Sequence, residues 1–262
     1  MPVHITSEIN LKYFGLLVIW VLSANIYAAQ NKIESLYRAN NINGAILIES
    51  EDGKIKYQYN VDDKESFVPA STFKIPNTLI ILEEGLIKSD SEVINWDGVE
   101  REYAVWNKDQ TLKTAFQHSC VWCYQRYAKK LGHTKYHKYL RDFNYGNQLT
   151  GSEITRFWLD GDLRVSVQDQ VNFLRKLYAE NLPIQKPHIK TLKSIMLSES
   201  NSQIKVWSKT GWSGKDGWYV GYLVVNEQTW FFANHIEINQ SSDLALRKKL
   251  TMEAFKALKI VQ

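Results

Sequence analysis

Two side chains three positions apart raise the first chemical question in this chain. Ser71 and Lys74, in "STFK", fall on one face of a helix. A serine hydroxyl is a weak nucleophile at neutral pH and needs a base to take its proton. An exposed lysine cannot be that base, since its ordinary pKa leaves roughly one amine in a thousand neutral at pH 7. Burial disfavours the ammonium and lowers its pKa, by several units when burial is complete. Phe73, Ile75, Leu79, Ile80, Ile81 and Leu82 flank Lys74, so the sequence offers a buried lysine able to accept a proton. The four-residue pattern by itself is weak, because a surface-reaching lysine beside a capping serine accounts for it more simply.

Further patterns follow in a fixed order. "SKTGW" at 208–212 joins a cation, a hydroxyl and a glycine on an expected edge strand. Lys209 and Thr210 suit a substrate carboxylate, and Gly211 would let a ligand lie close to the backbone. Between the two, Ser119 in "HSCV" heads an expected helix, as a capping residue or as a second hydroxyl at the site. "YGN" at 145–147 reads as a tight turn. His133 and His137 are four apart, but "HTKYH" lacks the glutamate of a metalloprotease helix, so no metal is predicted. Cys120 and Cys123 are the only cysteines. With no second pair and no strand leading into them, they read as two buried thiols or a strained local disulfide rather than a functional redox pair.

The elements that must position these groups are legible in outline. Residues 42–60 alternate like a hairpin turning at "EDGK". "VPASTFKIPNTLIILEEGL" reads as a helix opened near Pro69, ended by Gly85 and kinked by Pro76. Roughly 90–200 is helical and loop-rich, and "SQIKVWSKTGW", "GWYVGYLVV" and "TWFFANHIEI" are strands joined by short turns. A last helix follows, capped by Ser242 or Asp243. This order gives an α+β fold: an antiparallel sheet built from both ends of the chain, flanked by helices, with an inserted helical subdomain and a cleft at the junction. At the N-terminus, Lys12, an apolar run from Tyr13 to Leu22, and Ala28-Ala29 have the layout of a secretory signal peptide. Residues 1–28 are therefore expected to be removed after Ala28 or Ala29, leaving a single domain at 29–262; an uncleaved anchor is the alternative. The formal charge of +4 without a basic cluster gives no case for nucleic acid.

Taken in this order, S-T-F-K, S-C-V, Y-G-N and K-T-G resemble the class D serine β-lactamases, the oxacillinase type. The resemblance extends to "FWLDGDLRVS" (157–166), "GWYVGYL" (217–223) and Arg247, and so covers essentially the whole exported chain. The class A pattern fits worse, since "HSCV" replaces its S-D-N and its deacylating glutamate loop has no counterpart. The resemblance implies the serine β-lactamase/penicillin-binding fold, a periplasmic location, and hydrolysis of small-molecule β-lactams that confers antibiotic resistance. It implies that Lys74 reacts with carbon dioxide, drawn from bicarbonate, and that the N-carboxylated lysine serves as general base for acylation of Ser71 and for deacylation by water. Trp158 would hold that carbamate through its indole N–H, Val121 would supply apolar wall, and Ser119 would pass a proton toward the lactam nitrogen. Backbone N–H groups of Ser71 and Trp212 would form the oxyanion hole, and Lys209, Thr210, Gly211 and Arg247 would border the bound carboxylate. No other cofactor and no stable membrane association after signal cleavage are implied, and a homodimer stays open. "VWCYQ" departs from the Val-Pro-aromatic sequence of many relatives, and "SGKDG" is a shorter turn than in several, which leaves the substrate range unset. A β-lactam sensor domain and a cell-wall transpeptidase share the serine chemistry. The first carries a multi-span membrane region, against one short apolar run here, and the second usually shows S-x-N in place of "SCV".

Overall fold

The computed structural model describes residues 30–262; the expected signal peptide and its cleavage site lie outside the described residues. A helix at 30–39 (α1) precedes the hairpin β1 (Gly44–Ser50) and β2 (Lys56–Tyr59). A 3-10 turn at Ala70–Phe73 runs directly into α2 (Lys74–Glu83). Next come a two-stranded ribbon of β3 (Val93–Ile94) and β4 (Gln110–Thr111), then α3 (Leu112–Gln117) and α4 (Val121–Phe143). The described chain continues with α5 (Val167–Tyr178), α6 (Lys186–Met196), β5 (Leu197–Ser200), β6 (Ile204–Ser213), β7 (Asp216–Val225), β8 (Gln228–Glu237) and α7 (Leu246–Ala257).

The main sheet has the order β2-β1-β8-β7-β6-β5, antiparallel throughout. The N-terminal β1 lies against the C-terminal β8, from Gly44 opposite Ile236 to Ser50 opposite Trp230, so both ends of the chain do build one sheet. The period of two sorts its side chains between two cores. Ala45, Leu47, Trp218, Val220, Tyr222, Phe231 and Ala233 face the helical body, whereas Ile46, Ile48, Tyr219, Leu223, Phe232 and Ile236 face α1 and α7. The β7–β8 turn places Asn226 and Glu227 at φ of 49° and 62°, the paired left-handed geometry that follows strand twist in a two-residue hairpin. Within the helical stretch, α5 packs on β8 and β1, while α6 packs on α2 and α3.

Four local expectations are corrected. Pro76 does not kink its helix: α2 starts only at Lys74, so the proline sits in the first turn, where its missing N–H costs nothing. The last helix is not capped from Ser242. It opens as a 3-10 turn (Ser241–Ala245) headed by Gln240, and Asp243 reaches back to accept the N–H groups of Asn239 and Gln240 at 2.9 and 3.0 Å. The α4 cap is Cys120 rather than Ser119. Finally, β6 is an edge over only half its length, because β5 pairs with Lys205–Trp207 and leaves the K-T-G half uncovered on that side.

Asn234 ties three elements together behind the site. Its amide oxygen accepts from Tyr37 Oη at 2.7 Å, and its nitrogen donates to the Arg247 carbonyl and to Thr251 Oγ1 at 2.9 and 3.0 Å. Asn234, Tyr37 and Thr251 are fully buried, so truncation strands partners that water cannot reach. Asn234→Ala is expected to lose about 2–3 kcal/mol, read as a lower urea midpoint at unchanged slope.

Candidate active site

The local sequence around Ser71 is clamped from several sides. Ala70 holds φ +50°, a left-handed value that a non-glycine residue keeps only when its surroundings enforce it. Thr72 Oγ1 donates to the Pro69 carbonyl at 2.7 Å and accepts from the buried Gln170 amide at 2.8 Å. The Trp218 indole donates to the Val68 carbonyl at 2.9 Å, tying the entry to this turn to β7. Gly211 of β6 presses on the same turn: a Cβ there would lie 2.9 Å from the Pro69 carbonyl oxygen and 3.0 Å from Thr72 Cγ2. The glycine is thus required by the close packing of β6 on this turn, and its backbone also borders the cleft.

Lys74 Nζ donates to Ser71 Oγ at 3.0 Å. The lysine is 1% exposed, with its amine 5.0 Å from the Tyr124 ring centre. Burial first, and the Lys209 charge second, hold its pKa well below that of an ordinary lysine. Lys209 Nζ donates to Ser119 Oγ at 2.6 Å and to the Thr210 carbonyl at 3.0 Å. Burial, with the nearby Arg247 charge adding to it, brings the Lys209 pKa down to about 7. Arg247 donates to the carbonyls of Gly211 and Leu244 at 2.6 and 2.7 Å, and burial lowers its pKa to about 10. No carboxylate pairs with any of these three cations among the described residues. Such a site favours an anionic guest and a neutral Lys74.

Ser71, Ser119, Val121, Thr210, Gly211, Trp212 and Arg247 line one cleft of about 410 Å³. Ser119 holds φ +55° as it turns toward Lys209, a second enforced left-handed residue at the site. Trp212 is 43% exposed and forms a wall, its indole donating to the Gly214 carbonyl at 2.8 Å. Trp158 is set apart from the cleft lining. It is fully buried, stacked on Phe73 at 5.7 Å, and its indole N–H has no partner among the described residues. The loop carrying it is stitched by Y-G-N: Asn147 donates to the Asp162 carbonyl at 2.8 Å and accepts the Arg164 N–H at 3.0 Å. Gly146 sits at φ +55° against the Arg164 carbonyl, where any side chain would collide. Ser213 Oγ, at the end of β6, donates to the Leu159 carbonyl and fixes the loop to the sheet.

The sequence reading did not single out Tyr103, Val105, Trp106 and Leu244, which complete the cleft's apolar side. Tyr103 and Val105 are 42% and 44% exposed. The signal available was "YAVW", an apolar run without a helix or strand period that would have buried it. Cys120 and Cys123 form a disulfide in the structure, with Cα atoms 5.5 Å apart, which decides between the two structural readings of the pair. His133 and His137 both bond the buried Thr150 hydroxyl, at 2.9 and 3.0 Å, and serve packing.

A buried lysine bonded to a serine one turn away, near the open half of a sheet edge, is an arrangement suited to a serine acyl-transfer enzyme. In agreement, the penicillin binding protein transpeptidase domain family matches residues 29–257. The chain is 38% identical over 223 residues to β-lactamase OXA-48 of Klebsiella pneumoniae, covering 83% of this chain and 84% of that protein. It is 36% identical to β-lactamase OXA-10 of Pseudomonas aeruginosa over 82% of this chain and 84% of the other. The crystal structure of FUS-1 (OXA-85), a class D β-lactamase from Fusobacterium nucleatum subsp. polymorphum, superposes with a TM-score of 0.84 at 32% identity, covering 88% of this chain and 98% of that one. A class D β-lactamase from Sebaldella termitidis gives a TM-score of 0.84 at 38% identity, over 88% and 96% of the two chains. This chain belongs to the class D β-lactamases, serine hydrolases of the oxacillinase type.

The buried cations carry a stability consequence whose sign is fixed. Lys209 titrates near 7 when folded and near 10.5 when unfolded. Between those values the unfolded chain binds more protons, so stability rises with pH across that window. From pH 7 to 10 the wild-type unfolding free energy should gain about 3 kcal/mol on that of Lys209→Met, measured by paired urea melts.

Proposed function

We propose that this protein hydrolyses β-lactam antibiotics through an acyl-enzyme on Ser71 and so gives resistance to them. The observation that carries the reading is a buried Lys74 bonded to Ser71, with Trp158, stacked on the neighbouring Phe73, holding an indole N–H unpartnered among the described residues. The residues present fit a carboxylated lysine: only a neutral amine adds carbon dioxide, and a buried indole donor without an acceptor calls for one. When bound on Lys74, carbon dioxide supplies an anionic base at the foot of the cleft. Burial keeps the Lys74 amine unprotonated, which is the condition for that addition.

The chain's own residues then divide the work. Ser71 Oγ attacks the lactam carbonyl, the C–N bond of the ring breaks, and the carbonyl carbon stays on Ser71 until water releases it. Backbone N–H groups of Ser71 and Trp212 receive the negative charge on the carbonyl oxygen, a role typically worth a few kcal/mol per donor. Ser119, in contact with the Lys209 ammonium, relays a proton to the departing nitrogen. Arg247, Thr210 and Lys209 hold the substrate carboxylate at the cationic end of the cleft. Val121 closes the apolar wall, and Tyr103, Val105 and Trp106 receive the antibiotic's side chain. The reading includes export to the periplasm by the leader at 1–28. Among the described residues no helix is long and apolar enough to cross a membrane.

The test is product counted per enzyme with a chromogenic cephalosporin in bicarbonate buffer. Turnover well past one equivalent is expected, while a burst stopping at one equivalent would point to a sensor or transpeptidase. Lys74→Ala should lose roughly a thousandfold in kcat/KM, with no rescue by bicarbonate. Near-normal activity in that variant would sink the carbamate proposal. Trp158→Ala should make activity depend on added bicarbonate, and an unchanged response would count against the indole's role.

A further inference from the structure

We propose that the Cys120–Cys123 disulfide is a positioning element for Ser119, so that full activity requires this bond to be oxidised. The inference rests on the hydrolase reading above. The bond joins residues three apart that bracket Val121 and Trp122, and both cysteines are fully buried. Cys120 caps α4, and its sulfur accepts the Cys123 N–H at 3.3 Å. Ser119, immediately before the cap, holds φ +55° and meets Lys209 Nζ at 2.6 Å. A backbone value that side-chain-bearing residues rarely adopt persists only where the neighbouring structure dictates it. Ser119 is held from both sides. As the left-handed residue closing α3, it donates its N–H to the Phe116 carbonyl at 3.2 Å, and Cys120 donates its own to the Ala115 carbonyl at 2.9 Å. Cys120 is also the cap of the first turn of α4, which the disulfide closes.

The other end of the bridged segment reaches the cleft wall. Trp122 donates its indole N–H to the Trp106 carbonyl at 3.0 Å, and Trp106 donates its own to the His118 carbonyl at 2.9 Å. The bond therefore lies inside a closed path running from His118 through Ser119 and Trp122 to Trp106 and back. A cross-link over so short a loop restricts the unfolded chain least. Its larger consequence is local: without it the cap sulfur is free to rotate, the first turn of α4 frays, and Ser119 leaves the Lys209 ammonium. In the reduction a dithiol gives two electrons and two protons to the Sγ–Sγ bond, yielding two thiols, and itself closes to a disulfide. Burial shields the bond until the segment opens, so the reduced protein is best made by refolding in dithiothreitol. An exported enzyme would acquire the bond in an oxidising compartment.

The test is a double-mutant comparison. Acylation by a chromogenic cephalosporin is followed in single-turnover mixing for oxidised wild type, for wild type refolded and held in dithiothreitol, and for Cys120→Ala/Cys123→Ala. The same three states are prepared in Ser119→Ala. Thiols are counted, and far-ultraviolet circular dichroism checks folding; the refolded reduced protein keeps the comparison if the double variant fails to fold. Loss of the bond should slow acylation about tenfold or more with Ser119 present and less than twofold in Ser119→Ala. Equal losses in both backgrounds, or no loss in either, would overturn the positioning role. Failure of the oxidised wild type to turn over would instead overturn the hydrolase reading.

Discussion

Everything at this site depends on one ammonium being refused water. Lys74 lies 3.0 Å from Ser71 Oγ, almost fully buried, without a carboxylate to offset its charge. A charged amine there would lose its hydration and gain nothing comparable, so the proton is the part that leaves. Lys209 reinforces this, because a second cation nearby further disfavours the charged form of Lys74. The same geometry on the surface would yield a serine beside a solvated ammonium and no reaction.

Keeping that environment dry and aligned is the task of the fold. The Ser71 turn is fixed from below by Gln170 and Thr72, from the sheet by Trp218, and from the side by Gly211. Phe73, next to Lys74 in the chain, is set in an aromatic layer of Tyr136, Tyr145, Phe157 and Trp158, and the Tyr124 ring lies against the amine itself. Ala70 and Ser119, each left-handed without being glycine, sit where these constraints converge. Strain of on the order of 1–3 kcal/mol per such residue is tolerable only because so many contacts dictate the path. The two strained positions adjoin the two hydroxyls on which the chemistry depends.

How much of this was readable beforehand follows from what each residue's signal depends on. The strands of 204–237 alternate and are punctuated by tight turns, so local pattern sufficed. Ser71, Lys74 and the K-T-G segment were visible because their order along the chain is itself a pattern. The Pro76 kink was misread because the helix start depends on a 3-10 turn held by Gln170, almost a hundred positions away. Of the two roles open to Ser119, the structure selects the hydroxyl at the site over the cap, because Lys209, on another element, bonds that hydroxyl and Cys120 takes the cap. Gly211 is legible as a close-approach position, but that Pro69 and Thr72 press on it is set by tertiary packing that no local pattern shows. The cleft's apolar wall at Tyr103–Trp106 gave no periodic signal, since it belongs to a loop fixed by indole-to-carbonyl bonds.

The three cations also explain why the site would be poor as mere structure. Lys74, Lys209 and Arg247 are each held below their ordinary pKa by burial, which means each weakens the fold at neutral pH. A core selected for stability would replace them by apolar residues of similar volume. Their joint presence, with no acid among them, makes sense when the missing negative charge arrives from outside. A carboxylate entering the cleft would meet Arg247, with Lys209 behind Ser119 and Thr210, raise their pKa values and recover part of what their burial costs. Lys74 lies deeper, beneath Ser71, where its low proton affinity serves the reaction rather than binding. In the proposed reaction the outer cations would be completed by the substrate, while Lys74, bonded to Ser71, would be kept neutral for the chemistry.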